Sequence, residues 1–146
     1  MTTILVGVDG SARTALVVEQ AARMAERLGA KLLLVTSVGL PPEVPAHFWA
    51  VSTLDLSGIL IENSKKVLDG IVAKLPPDLV KGSLVEIGTA WDVLCRTAKA
   101  EDVDLIVIGS HGYGGIDRLI GTTASRVVNH ADRSVFVVRE KPAPAS

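Results

Sequence analysis

Asp104-Leu105-Ile106-Val107-Ile108-Gly109-Ser110-His111-Gly112-Tyr113-Gly114-Gly115 is the stretch that decides the fold. Leu105 to Ile108 is a continuous apolar run of strand length. Four glycines follow between positions 109 and 115, and the chain then passes Gly121-Thr122-Thr123 into Ala124-Ser125-Arg126-Val127-Val128, which has helical spacing. A strand apolar at successive positions is buried on both faces, as in a parallel sheet covered by helices. Glycine lets backbone amides approach an anion, and a helix start adds unpaired N–H groups and partial positive charge, so this strand-to-helix connection suits a phosphate.

The same alternation runs outward in both directions. Ile4 to Val8 predicts a first strand, ended by Gly10-Ser11, with Ser11 as the expected N-cap of a helix carrying Leu16, Val17, Ala21, Met24, Ala25 and Leu28 and closed by Gly29. Leu32 to Val35, extending toward Val38, predicts a second strand. Gly39 to Ser57 reads as irregular, because Pro41, Pro42 and Pro45 oppose a helix start there. A helix follows with Ile59, Leu60, Val67, Leu68, Ile71, Val72 and Leu75 as its apolar stripe, and Pro76-Pro77 stops it. Leu84 to Ile87 predicts a third strand, Gly88-Thr89 a turn, Trp91 to Ala100 a third helix, about Thr123 to Ala131 a fourth, and Ser134 to Val138 a last strand. The expected fold is α/β: a single doubly wound, five-stranded parallel sheet with helices on both faces, formed by residues 1–139 as one domain, with 140–146 as a flexible tail. Such sheets bind ligands beyond the carboxyl ends of the strands, where the strand order reverses. Asp9-Gly10-Ser11 and the Gly109–Gly115 loop both fall at carboxyl ends; if the first and fourth strands are neighbours, the two loops face one crevice.

Composition narrows the function. A chain of 146 residues with 48% hydrophobic residues closes a core without a metal or disulfide staple. Net charge is −1 and aromatic residues make up 3%, so neither a basic track nor a stacking platform for nucleic acid is expected. The single Cys95 lies in a helical pattern and reads as a small core residue. No signal segment and no apolar stretch of membrane-spanning length is visible, so no membrane partner and a cytoplasmic location are expected. His47 and His130 have no matching Cys or Glu spacing, so no protein-held metal site is expected. Asp102 and Asp104, at the far end of the fourth strand, are expected to be solvated.

Neither of two common phosphate motifs is present. No Gly-Lys-Ser or Gly-Lys-Thr occurs, which removes the P-loop lysine. Gly112-Tyr113-Gly114 begins like a dinucleotide fingerprint, but Asp117 stands where the third glycine belongs. From Ile4-Leu5-Val6-Gly7-Val8-Asp9-Gly10-Ser11 to Ser134-Val135-Phe136-Val137-Val138-Arg139 the chain instead resembles the universal stress protein family. The ATP-binding branch carries G-x2-G-x9-G-[ST]; here Gly109-x2-Gly112 and Gly121-Thr122 match, with a spacer of eight residues, Tyr113 to Ile120.

The resemblance implies a Rossmann-like, adenine-nucleotide-binding fold and a set of contacts. Gly7, Val8 and Asp9 would border adenosine, Ser37 or Val38 would lie against adenine, Ile108, Gly109, His111 and Gly112 would wrap the ribose and first phosphates, and Gly121, Thr122 and Thr123 would hold the outer phosphates. It also implies ATP, with ADP and AMP as alternatives, Mg2+ carried by the phosphates, and a homodimer through Ser134 to Val138. That last strand reads as apolar on both faces and lies at a chain end, hence at a sheet edge. Read from the residues alone, Asp9 either meets a ligand or caps the next helix, and Thr122 and Thr123 are natural N-caps whatever else they do. His111 serves through its ring or its backbone, and Phe48-Trp49 forms a lid, a partner contact or packing over the sheet. Arg13, Arg118 and Arg126 are the nearby cations, and Ser110-His111 is not a nucleophile–base pair, since adjacent residues do not aim at one another and no orienting third group is evident. The function expected is a nucleotide-dependent regulatory switch of the stress-response type acting on an unknown protein partner. A slow ATPase or phosphotransfer enzyme without identified catalytic residues is the alternative, and a dimeric module without nucleotide is a third.

Overall fold

The computed structural model describes residues 2–39, 46–110 and 120–141, with 46–57 as backbone alone. Five strands, β1 (Thr3–Gly7), β2 (Lys31–Val38), β3 (Val80–Ile87), β4 (Leu105–Gly109) and β5 (Ser134–Val138), alternate with α1 (Thr14–Leu28), α2 (Ala46–Val72), α3 (Ala90–Ala100) and α4 (Thr122–His130). They form one sheet in the order β3-β2-β1-β4-β5, every pairing parallel. The α/β doubly wound expectation holds.

Strand alternation assigns the helices to faces. Ile4, Val6, Leu32, Leu34 and Val107 share one core with Val17, Val18, Ala21 and Ala25 of α1 and Leu68 of α2. Leu5, Leu33, Val35, Ile106 and Ile108 share the other with Val93, Leu94 and Ala98 of α3 and Ala124 and Val127 of α4. Ile4, Leu5 and Val6 have no exposed surface, so β1 is a central strand whose side chains each gain about 2 kcal/mol from burial. Gly29 ends α1 in the left-handed region at φ 65°, and the Ala30 amide reaches back to the Ala25 carbonyl at 2.8 Å, as a glycine C-cap requires.

Three element boundaries differ from the sequence reading. The backbone is helical from Ala46, so the segment expected to be irregular up to Ser57 is largely helix; a proline is excluded from a helix interior but not from the position just before its first residue, where Pro45 stands. The same helix ends at Val72 rather than at Pro76, its end tightened by amides of Lys74 and Leu75 reaching the carbonyls of Ile71 and Val72, before a short 3-10 turn at Pro77–Leu79. β3 begins at Val80 rather than Leu84. It is an edge strand, so Lys81 and Ser83 stay exposed at no cost, and a register irregularity opposite Leu32 and Leu33 falls where Lys81 lies. β5 is the opposite edge and carries apolar side chains on both faces: Val138 is buried on the α1–α2 side, Val135 and Val137 pack on the α3–α4 side, and Ser134 and Phe136 are exposed.

Asp104 is not merely solvated. Its Oδ2 accepts the Thr3 amide at 2.8 Å and its own amide reaches the Thr3 carbonyl at 2.9 Å, tying the starts of β1 and β4. Close by, Arg133 donates to the Val103 carbonyl at 2.7 Å and pairs with Asp132 and, at 3.5 Å, with Asp102, whose φ of 48° makes the turn into β4. The Arg133 hydrogen bond holds the Asp132 carboxyl below the usual carboxylate range. These ties close the amino end of the sheet and leave its carboxyl end to the site.

Candidate functional site at the β1–β4 fork

β1 and β4 are neighbours only as far as Val6 and Val107. Beyond that pair each strand stays with its outer partner: Gly7 remains opposite Val35 and the Val8 amide reaches the Val35 carbonyl at 2.9 Å, whereas Gly109 remains opposite Val138 and the Ser110 amide reaches the Val138 carbonyl at 2.9 Å. The two chains therefore part at their carboxyl ends. The order of strands reverses here, since β2 and β3 lie to one side of β1 and β4 and β5 to the other, and this is where ligands enter open α/β sheets. The expected convergence of the Asp9 loop and the β4 loop rests on this pairing.

Gly7 sits at the root of the fork. A Cβ there would stand 3.0 Å from Ile108 Cγ2 and 3.1 Å from Leu94 Cδ1, so glycine allows β1, β4 and α3 to meet before the strands separate. Val8, Val38 and Ile108 are buried, Ser37 is half-buried, and Asp9 is exposed. The Gly88 amide reaches the Val38 carbonyl at 3.0 Å, which fixes the end of β2 beside the fork.

Asp9 braces the turn that leads into α1 and does not cap the helix itself. Its Oδ1 accepts the Ser11 amide at 2.9 Å and the Thr14 hydroxyl at 3.0 Å, locking the turn between β1 and α1. Ser11 is not the cap either: the N-cap position is Arg13, whose side chain does not cap the helix, and Ser11 Oγ is buried with no partner among the described residues. A carboxylate is the stronger acceptor for the amide, which leaves the serine hydroxyl turned inward and unsatisfied. Thr14, buried and bonded to Asp9, was missed because a threonine in a first helical turn looks like any other N-terminal residue.

Thr122 and Thr123 are not N-caps either. Gly121 holds the cap position, its carbonyl accepting the Ser125 amide at 2.9 Å, and both threonines are exposed in the first turn of α4. The Gly121 amide also donates to the Ser110 carbonyl at 2.6 Å, which joins the end of β4 to the start of α4. Ser110 is buried, accepts the Gly121 amide at its carbonyl and donates its own amide to the Val138 carbonyl, a backbone role its side chain does not announce. His111 and Gly112, like Arg118, lie outside the described residues, and the side chains of Phe48 and Trp49 do too. Arg13 is engaged in an interaction of its own. Arg126, expected near the phosphates, lies with its guanidinium 5.7 Å from the centre of the Trp91 ring. Cys95 is half-buried on the α3 side, where burial, then the carboxylates of Asp92 and Asp132, push its thiol up, as befits a packing residue.

A sequence model of the universal stress protein family matches residues 1–139. The chain belongs to the universal stress protein family. Universal stress protein A homolog 2 of Coxiella burnetii is 32% identical over 85% of this chain and 84% of its own length. Among solved structures, universal stress protein UspA from Lactobacillus plantarum is 27% identical, with a TM-score of 0.76 over 94% of this chain and 97% of that one. A universal stress protein from Archaeoglobus fulgidus in complex with dAMP shares the fold at 20% identity, with a TM-score of 0.68 over 95% of this chain and 98% of that one. Among the described residues no helix is long and apolar enough to cross a membrane.

Proposed function

We propose that this universal stress protein binds an adenine nucleotide in the β1–β4 fork and acts as a nucleotide-dependent regulatory switch. The observation that carries the reading is the parting of β1 and β4 after Val6 and Val107, at the end of the sheet where β1 leads to the Asp9 turn and β4 toward α4. The donor set fits a nucleotide. Ser11 Oγ is buried without a partner among the described residues, and the first-turn amides of α4 have no intrahelical acceptor. Gly7, Val8 and Asp9 would border adenosine, Val38 and Ser37 the base, Ile108 and Gly109 the ribose, and Gly121, Thr122 and Thr123 the phosphates, with His111 and Gly112 completing the loop. The dAMP complex of the Archaeoglobus fulgidus relative supports an adenine ligand in this fold.

ATP is the ligand favoured by the Gly109-x2-Gly112-x8-Gly121-Thr122 pattern. Among the described residues no group of three His, Cys, Asp or Glu could hold a metal ion, so Mg2+ would arrive on the phosphates. Differential affinity for two arrangements of the 109–123 segment would make the nucleotide a switch. The exposed edge of β5, Ser134–Val138 with Phe136 outward, would pair with its copy in a two-fold homodimer. Denaturing protein purified without added ligand and separating the released small molecules tests the binding claim. An adenine nucleotide in near-stoichiometric amount is the expected result. Empty protein that also gives no heat on titration with millimolar ATP overturns it.

A further inference from the structure

We infer that Arg126 is the residue by which this site distinguishes a polyphosphate from a monophosphate, exchanging the face of Trp91 for the outer phosphates. The inference rests on the nucleotide reading above and goes beyond it by assigning the selecting side chain.

Arg126 stands on α4 one turn after Thr122 and Thr123, so all three lie on one side of the helix. Long side chains on a helix lean toward its amino end and cover the preceding turn. By leaving Trp91 and turning toward the amino end, the guanidinium would reach the first turn of α4, where the phosphates would rest. It is exposed and has no ion pair among the described residues; its contact is the Trp91 ring at 5.7 Å. Trp91 is in the first turn of α3 and is held independently of Arg126, packing against the core beneath α3 and α4 and stacking on His130 at 4.7 Å between centroids. His130 is in turn fixed by its Nδ1 donating to the Arg126 carbonyl at 2.8 Å, a backbone tie that does not depend on where the guanidinium lies. The ring is therefore a fixed resting place for an exposed cation. An exposed cation–π contact is weak, whereas a guanidinium meeting phosphate oxygens forms paired, charge-assisted bonds. A ligand with outer phosphates wins the side chain; one that ends at its first phosphate leaves it on Trp91.

The test uses the full chain with Trp49→Phe, which leaves Trp91 as the reporting tryptophan of the two. Calorimetry and tryptophan emission are followed together during titration with ATP, ADP, AMP and inorganic tripolyphosphate, each with Mg2+. ATP is expected to change Trp91 emission and AMP to bind without changing it. Arg126→Gln, a substitution at an exposed position, is expected to weaken ATP about tenfold, leave AMP unchanged and abolish the ATP-induced emission change. ATP binding that Arg126→Gln leaves intact, or an equal loss for ATP and AMP, overturns the inference while the nucleotide site stands. No heat from any of the four ligands overturns the nucleotide reading itself, and this assignment with it.

Discussion

The Gly121 amide donates to the Ser110 carbonyl across 2.6 Å, so the chain leaves β4 and begins α4 from one point. The ends of the 111–120 segment are thus set by β4 and α4, which separates the stability of the fold from the length of the phosphate loop.

Inserting one glycine between Gly114 and Gly115, which lengthens the spacer to the nine residues of the ATP-binding pattern, is therefore expected to leave the fold untouched. Loop entropy changes by only about 0.1 kcal/mol for one added residue. Thermal unfolding should show an unchanged Tm, while ATP affinity measured on the same protein shifts because the loop amides are re-aimed. A large fall in Tm would mean that the loop itself supports the fold.

Gly7→Ala tests the root of the fork. The added methyl would meet Ile108 Cγ2 at 3.0 Å and Leu94 Cδ1 and Cδ2 at 3.1 and 3.2 Å, in a core that cannot easily yield. Overpacking of this kind costs about 1–3 kcal/mol, to be read from urea unfolding. No loss of stability would show that β1, β4 and α3 are less closely joined than described.

How much of this was legible in the sequence depended on burial. β1, β2 and β4 have buried interiors and announced themselves as unbroken apolar runs, whereas the adjacency of β1 and β4 stayed a condition until the strand order supplied it. The first half of β3 did not, because Lys81-Gly82-Ser83 sits on an edge that tolerates polar side chains. The start of α2 was hidden by Pro41, Pro42 and Pro45, whose signal marks a boundary without saying on which side of it the helix lies. At the site, glycine spacing and the Asp9 position located the two loops. The caps were misread because Ser11, Thr122 and Thr123 are good caps by type, while the structure puts Arg13 and Gly121 at the cap positions and uses the Asp9 carboxylate to brace the turn before α1.

Cys95 sets an alkaline limit. Burial and the nearby carboxylates of Asp92 and Asp132 raise its pKa, so the folded chain keeps the thiol proton to higher pH than the unfolded chain does. That contribution is complete below the unfolded thiol's pKa and is lost as pH rises through the folded one. Stability measured across the alkaline range should decline less steeply for Cys95→Ala than for the unaltered chain, and the native thiol should react with a disulfide reagent more slowly than the denatured one. Equal slopes and equal rates would contradict the assignment.

Phe136→Asp addresses assembly. Phe136 is 42% exposed on the edge strand β5, so the substitution removes little core packing. Sedimentation is expected to show a dimer for the unaltered chain and a folded monomer for Phe136→Asp. A dimer that survives the substitution places the interface elsewhere.

The most direct test of the fork as the ligand site is a backbone amide chemical-shift titration with ATP and Mg2+. The account predicts perturbations at Val8 to Ser11, Ser37 and Val38, Gly109 and Ser110, and Gly121 to Ser125, with the amino end of the sheet around Thr3, Asp104 and Arg133 unmoved. Saturable binding whose perturbations fall on the β3 edge or around Thr3 and Asp104, with the fork silent, would contradict it.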